Sequence, residues 1–386
     1  MSNAIYGQQS TLSASDENLR INIEDTIKSY PEWMFPLLKR WNGSNFAKDI
    51  RSHKYEWSER DLRPVKSTVA SETVTDSATT FYVQTPGVFN IDDVLQAPDG
   101  ELMIVTAVAG GTLLTVIRAW GGSTAESMVL GETVKRVGVA SRQGALVDNM
   151  VIQTPDDLYN YTQIFEDVVE LSDTQHKSLV HGDEGSSKLI ERKQKELMEM
   201  LQLTLLVGRR YKDSANKRYS MGGLKYFIDT YASDNAVDFG GSGNWGTDST
   251  VRAKFNAVVE KIADKGGDKP TVYVGYKAMQ KLAEMESTFV RTAKSENSRG
   301  LSVPEKFLST LGELDIVLIR ERAGVLDNLV FFAQEDSIGY KPMKGRGWFT
   351  EEKPFAGDGH IWQVVGEYTA KFDLPKLNGY LYNLGL

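Results

Sequence analysis

One stretch limits the possible folds more than any other. Between Ser186 and Arg209, the residues Ile190, Leu197, Leu201 and Leu205 fall seven, four and four positions apart, on one face of a helix. Lys188, Gln194 and Met198 lie off that line. Glu184 precedes Lys188, and Glu191 precedes Lys195, each by four positions, the favourable order for an ion pair along a helix. A helix of about 24 residues is about 36 Å long at 1.5 Å per residue. Gly208 and the basic pair Arg209-Arg210 suit its C-terminal end.

The chain before this rod is β-prone or polar. Residues 1–30 are rich in Ser, Asn and Asp and read as an extended arm with no core of its own. Residues 31–38 turn apolar and end at Lys39-Arg40-Trp41. Pro31 and Pro36 prevent a long helix there. This segment either docks on another molecule through Trp33, Phe35 and Trp41 or packs on the chain's own core. Residues 50–83 alternate weakly, with Tyr55, Trp57, Leu62, Val65, Val69 and Val74 set among charges. They read as an exposed hairpin arm that cannot supply a buried strand. From Val88 to Val137, short apolar runs are separated by Pro98-Asp99-Gly100, Gly110-Gly111 and Gly121-Gly122. That pattern predicts a small antiparallel β-unit inserted into the hairpin. Residues 163–171 read as a strand leaving the arm.

Beyond the rod, Met221 to Ile228 open another unit. It is expected to hold helices over 248–265 and 276–285 and strands over 271–274, 315–320 and 329–333. A charged loop spans 295–300, and a β-like tail covers 361–368 and 379–382. The class is α+β with mixed sheets, and no internal repeat is visible.

Composition excludes several functions. At about 150 residues per domain, 386 residues make two or three domains. Zero cysteine excludes disulfide scaffolds, thiolate metal sites and a cysteine nucleophile, and makes a reducing cytoplasm the default. With 44 Lys+Arg against 52 Asp+Glu, the net charge of −8 argues against a general nucleic-acid binder. The first 17 residues lack the basic and apolar regions of a signal peptide, and no apolar run is long enough to span a membrane. The sequons at Asn42 and Asn160 therefore carry little meaning.

No catalytic set emerges. Gly241-Ser242-Gly243-Asn244-Trp245-Gly246 matches a dinucleotide fingerprint literally. That chemistry needs a buried strand before the first glycine, and residues 234–239 are half polar. It reads as a loop ending in a helix cap at Thr247 or Asp248. Of the histidines 53, 176, 181 and 360, only His176 and His181 are close, and their spacing does not share a helix face, so no metal site is expected. The acidic pairs Asp92-Asp93, Asp156-Asp157 and Glu351-Glu352 point apart on strands, with nothing to raise a carboxyl pKa. Neither a Gly-x-Ser-x-Gly elbow nor a phosphate-binding loop occurs. No cofactor is expected.

The order of elements then becomes the informative feature: polar arm, charged hairpin, strand, long helix, α/β unit, returning β-tail. This order resembles the major capsid proteins of tailed bacteriophages, which share the Hong Kong 97 fold. The resemblance rests on Asn160-Tyr161-Thr162-Gln163-Ile164-Phe165 with Leu171-Ser172-Asp173-Thr174-Gln175, on Met221-Gly222-Gly223-Leu224, on Lys353-Pro354-Phe355-Ala356-Gly357-Asp358-Gly359, and on Val365-Gly366-Glu367-Tyr368-Thr369. It covers nearly the whole chain and implies an N-terminal arm at 1–48. It implies an E-loop at 49–165 with a β-barrel inserted at about 86–138, and a P-domain at 166–221 built on a spine helix at 186–210. An A-domain at 222–322 and returning strands at 323–386 complete it. The E-loop is longer than the minimal form because of its insertion.

The implied function is a structural shell protein without enzymatic activity, assembling as pentamers and hexamers of an icosahedral virion around double-stranded DNA. By the same resemblance, a separate scaffolding protein and a portal are expected partners, with a possible decoration protein. No sequence-specific DNA binding and no membrane are expected, and synthesis is in the host cytoplasm. An encapsulin-type cargo shell, a phage tail protein and a carbohydrate-active enzyme are alternatives. Candidate subunit contacts are Trp33, Phe35 and Trp41 in the arm, and Arg60, Asp61 and Arg63 on the hairpin, where charges stand on a stretch with no core to serve. Arg209 and Arg210 either join such contacts or compensate the helix dipole.

Overall fold

The longest strand, Gly359–Phe372, is rich in Val, Tyr, Thr and Trp and pairs along both edges. In this computed structural model, which describes residues 35–42, 46, 49–60, 62–144, 155–174, 186–246, 248–284, 290–292, 304–354 and 357–386, it is the spine of a four-stranded antiparallel sheet. Gln163–Ser172 runs along one edge over its full length, from Gln163 opposite Tyr368 to Ser172 opposite Gly359. Phe349–Lys353 and Ile338–Pro342 share the other edge.

The long helix spans Ser186–Val207 and packs on this sheet, where Lys193 pairs with Asp167 at 3.0 Å. Leu197, Leu201, Leu205 and Leu206 are buried. At about 2 kcal/mol per buried leucine, that face outweighs the weak propensity terms. The helix stops at Val207, short of Arg209-Arg210. A Cβ on Gly208 would come within 2.4 Å of the Thr204 carbonyl oxygen and 2.7 Å of that of Met221. The chain is thus turned away by a close backbone approach and enters the hairpin Tyr211–Asp213 with Arg218–Ser220.

A seven-stranded mixed sheet lies beyond. Its order is Ala236–Asp238, Gly379–Tyr382, Leu329–Ala333, Thr271–Val274, Gly312–Leu318, Pro304–Ser309 and Val290–Thr292. The central strands read as continuous apolar runs, LVFFA and TVYV, because both faces are covered. The helix Asp248–Asp264 contributes Val251, Phe255, Val258, Val259 and Ile262 to the core. Phe255 sits 5.0 Å from Phe307 and 5.4 Å, edge-on, from Phe332. The expected strand at 315–320 is Gly312–Leu318. In the Gly-rich loop, Trp245 packs 4.7 Å from Phe239 and donates its indole N–H to the Leu384 carbonyl at 2.9 Å. The preceding strand is three residues long and lies at the sheet edge.

The chain divides into two units: residues up to Trp57 together with Leu158–Leu386, and Ser58–Asp157. Among its described residues the second unit is built of strands, with one short helical turn at Trp120–Gly122. Its six-stranded sheet runs Lys66–Thr68, Thr133–Val139, Asp93–Gln96, Leu102–Ala109, Leu113–Ile117, Thr80–Tyr82. Gly110 and Gly111, both at positive φ, make the tight connection between Leu102–Ala109 and Leu113–Ile117. The core includes Val69, Val74, Phe81 and Val83. The expectation that 50–83 is a coreless arm is therefore corrected. Lys66–Thr68 and Thr80–Tyr82 are the two edge strands of the sheet, each three residues long with one buried position, Ser67 and Phe81, too short for an alternation to build up. Inside this unit Glu101 and Arg118 form a buried ion pair, completed by the backbone N–H groups of Ala119 at 3.0 Å and Glu126 at 3.2 Å. Arg118 in turn donates to the carbonyls of Thr75 and Ala78. Burial works to raise the Glu101 pKa, but these donors together hold it below the ordinary carboxylate value.

Candidate assembly surfaces and the junction behind them

Three of the four sequence motifs meet at one buried point. Asn160 is fully buried, and its amide makes every bond its four sites allow. Nδ2 donates to the carbonyls of Gly222 and Ala370, both at 2.9 Å. Oδ1 accepts from the N–H of Gly222 at 2.8 Å and of Tyr161 at 2.9 Å. Two residues on, Thr162 Oγ1 donates to Glu367 at 2.5 Å, and Arg346 holds the same carboxylate at 2.8 Å. Thr369 Oγ1 donates to the Tyr161 carbonyl at 2.9 Å, and Gln163 Oε1 accepts from Met221 N–H at 3.0 Å.

Glycines are needed here for proximity. Gly223 donates to the Gly208 carbonyl at 2.8 Å, and a Cβ on it would lie 2.5 Å from the Thr204 oxygen. The end of the long helix is thereby held against the Met221-Gly222-Gly223 crossing. Gly366 leaves room for the Trp348 ring, which a Cβ would meet at 2.5 Å. Burial pushes the Tyr368 hydroxyl up to about 12, and that hydroxyl accepts the Trp348 N–H at 3.2 Å. A second latch ties the long helix to the loop after Gly312–Leu318. Arg322 donates to the nearly buried Glu199 from Nε at 2.8 Å and from its backbone N–H at 3.1 Å.

The candidate contact residues fall in different settings. Trp41 is 1% exposed, so its ring belongs to the core of its own subunit and is not offered to another. Its indole donates to Tyr273 OH at 3.0 Å, and its ring meets Tyr273 and Phe372 edge-on at 5.5 and 6.3 Å. Tyr273 OH donates to Glu335 at 2.6 Å, which also pairs with Arg40 at 2.9 Å. Burial, then Glu335, raises the Tyr273 hydroxyl well above its ordinary value. Phe35 is half-buried against the same core. Residues 42 and 50 bridge to Tyr340 and Met343, so this stretch is strapped along Ile338–Pro342. Arg60 is exposed. Arg63 is half-buried within its own unit, donating to the Val88 carbonyl at 2.8 Å and to Asp93 at 3.2 Å. Burial, then the nearby Arg136, depresses its pKa. Trp33 and Asp61 lie outside the described residues.

The sequence reading missed the acids Glu101, Glu199 and Glu367. Nothing in the local composition separates them from solvated ones, since each is buried by partners on other segments: Arg118 for Glu101, Arg322 for Glu199, Thr162 and Arg346 for Glu367. Among the described residues, no group of three or more His, Cys, Asp or Glu is placed to hold a metal. His53 stacks near Tyr161 and Tyr219. His360 bridges Glu352 at 2.7 Å and Asp173 at 3.4 Å. His176 and His181 lie outside the described residues. No helix among the described residues is long and apolar enough to cross a membrane.

Two sheets, one long helix on the first, and a β unit set into the chain between Trp57 and Leu158 make up a fold of the Hong Kong 97 type. Solved structures agree over nearly the full chain. The capsid of a native GTA particle aligns at a TM-score of 0.53 and 10% identity, covering 98% of this chain and 99% of its own. The capsid of an empty GTA particle gives 0.50 and 11%, covering 98% and 100%. A chain of Microbacterium phage Oxtober96 gives 0.49 and 10%, covering 97% and 98%. No curated protein matches. The family profile described as SU10 major capsid protein matches residues 7–385, and the chain belongs to that family. It is a major capsid protein of a phage shell, and it works as a homo-oligomer in the virion.

Proposed function

We propose that this subunit tiles an icosahedral shell as pentamers and hexamers around double-stranded DNA, acting as a wall and not as a catalyst. One observation carries the reading. Segments as far apart as 210 residues lock onto Asn160 in a buried polar junction. These bonds tie the chain just before Gln163–Ser172, the Met221-Gly222-Gly223 crossing and the end of the longest strand into one rigid body. Ring contacts in such shells are heterologous and close by rotation. A limb that covers a neighbour adds avidity from many weak contacts, so misplaced subunits can leave before the lattice closes. The net charge of −8 keeps average attraction to packaged DNA low. Synthesis in the host cytoplasm, a separate scaffolding protein, a portal and a decoration protein belong to the same reading.

Negative-stain imaging of the chain expressed with its scaffold tests it. Closed shells of uniform size are expected. Only soluble monomers that turn over a small substrate would overturn it.

A further inference from the structure

The strand Gln163–Ser172 has a basic hairpin at its start and an acidic face along its length. At its start, residues 209–220 hold five cations and one carboxylate. The hairpin they form is tied to this strand through the Gln163–Met221 bond. It borders a tyrosine platform, with Tyr219 5.4 Å from Tyr161 and Tyr161 5.5 Å from Tyr159. Arg210 lies 3.9 Å over the Tyr159 ring and Lys54 lies 4.2 Å over it. Lys212 and Arg218 are exposed, and Tyr211 is 65% exposed. The carboxylate, Asp213, is bound within its own turn by Asn216 and Ala215.

One face of the sheet along this strand is partly exposed. The register puts Ile164, Glu166, Val168 and Glu170 on one side, together with Phe349 and Glu351 across the sheet. The opposite side carries Asp167 toward the long helix. On the open side Ile164, Val168 and Phe349 are 51%, 46% and 38% exposed, among exposed glutamates. Among the described residues Glu166 accepts from the neutral Gln363 amide, and Glu351 pairs with Lys353.

Glu170 and Glu351 stand seven and five residue steps along the strand from Gln163, about 23 and 17 Å at about 3.3 Å per step, at least twice the screening length of about 8 Å at physiological salt. The hairpin cations and these two glutamates are thus largely screened from each other within one subunit. We propose that the basic hairpin of one subunit seats on this sheet face of a second copy, head to tail. This rests on the reading of the chain as a shell subunit. Both halves of the complementary pair stand on one chain whose copies assemble, so a second copy is the occupant. Lys212 and Arg218 meet the glutamates, and Tyr211 covers the exposed aliphatic side chains. DNA phosphates would satisfy the cations but leave Ile164, Val168 and Phe349 uncovered.

Charge reversal in both halves tests this, with three variants: Lys212→Glu with Arg218→Glu; Glu170→Lys with Glu351→Lys; and all four together. Each double reversal is expected to lower shell yield about tenfold or more, because like charges then face each other. The melting of the purified subunit is expected to stay unchanged. The fourfold variant restores yield to within about twofold of the parent, since opposite charges again face each other. Should the hairpin reversal disturb folding, Lys212→Gln with Arg218→Gln replaces it, with a loss of about threefold expected from removing attraction alone. Parental yield from either double variant overturns the contact, as does a folded fourfold variant that does not recover. Normal shells with less packaged DNA would assign the cations to phosphate and also overturn it. A parent that forms no shells refutes the shell reading itself, a distinguishable result.

Discussion

The two units hold themselves together differently. The body is assembled from segments on both sides of the insert, and its buried polar bonds join residues as far as 232 positions apart. The insert is one continuous stretch. Its buried ion pair joins residues 17 apart, and at the centre of its sheet Asp93–Gln96, Leu102–Ala109 and Leu113–Ile117 pair consecutively. Polar groups thus close long loops in the body and staple a local sheet in the insert. A limb can vary while its root stays fixed, because the two depend on separate cores.

The largest effect that would break this comparison is expected from Arg118→Ala. It leaves the Glu101 carboxylate buried without its cation, at a cost of about 3–5 kcal/mol. Chemical denaturation followed by hydrogen exchange should show protection lost over 66–139 and kept over 359–372. Equal loss in both regions would mean that the units do not melt separately.

Asn160→Ala is the mirror experiment. It strands the Gly222 N–H and two carbonyls in the interior, at a cost of about 3 kcal/mol. Exchange should now rise over 359–372 and stay low over 102–117. Arg322→Ala sharpens the picture within the body. It removes the partner of Glu199 at an edge open to water, and a denaturation midpoint should report about 2 kcal/mol.

The smallest effect is a pH dependence. Glu352, then Asp173, raises the His360 pKa above its ordinary 6.5. A folded value above the unfolded one gives stabilisation that is complete below about pH 6.5 and is lost as pH rises through the folded value. The melting-temperature advantage of the parent over His360→Gln should therefore shrink from pH 5.5 to pH 8. An advantage that grows over that range would reverse the assignment.

The same contrast explains what the sequence disclosed. The long helix and the glycine-punctuated strands are local patterns, and their residues could be read in place. The crossing of Met221-Gly222-Gly223 with Asn160 could be quoted as motifs but not joined, because no spacing rule relates positions so far apart. Trp41 was ambiguous for a physical reason. An indole beside prolines and leucines has the same composition whether it covers a neighbour or its own core, and the Tyr273 hydroxyl that receives it lies 232 residues away. Val74 and Phe81 were hidden because each is the single buried residue of a strand of two or three residues, too short for alternation to show, and Val69 joins Val83 through an isolated bridge.

Ser58 and Asp157, the first and last residues of the insert, touch at 2.5 Å. A stretch whose two ends coincide behaves as a plug-in cassette. Evolution can enlarge, trim or trade it without respacing the host polypeptide, and a designer can graft there any foreign domain whose own termini lie side by side.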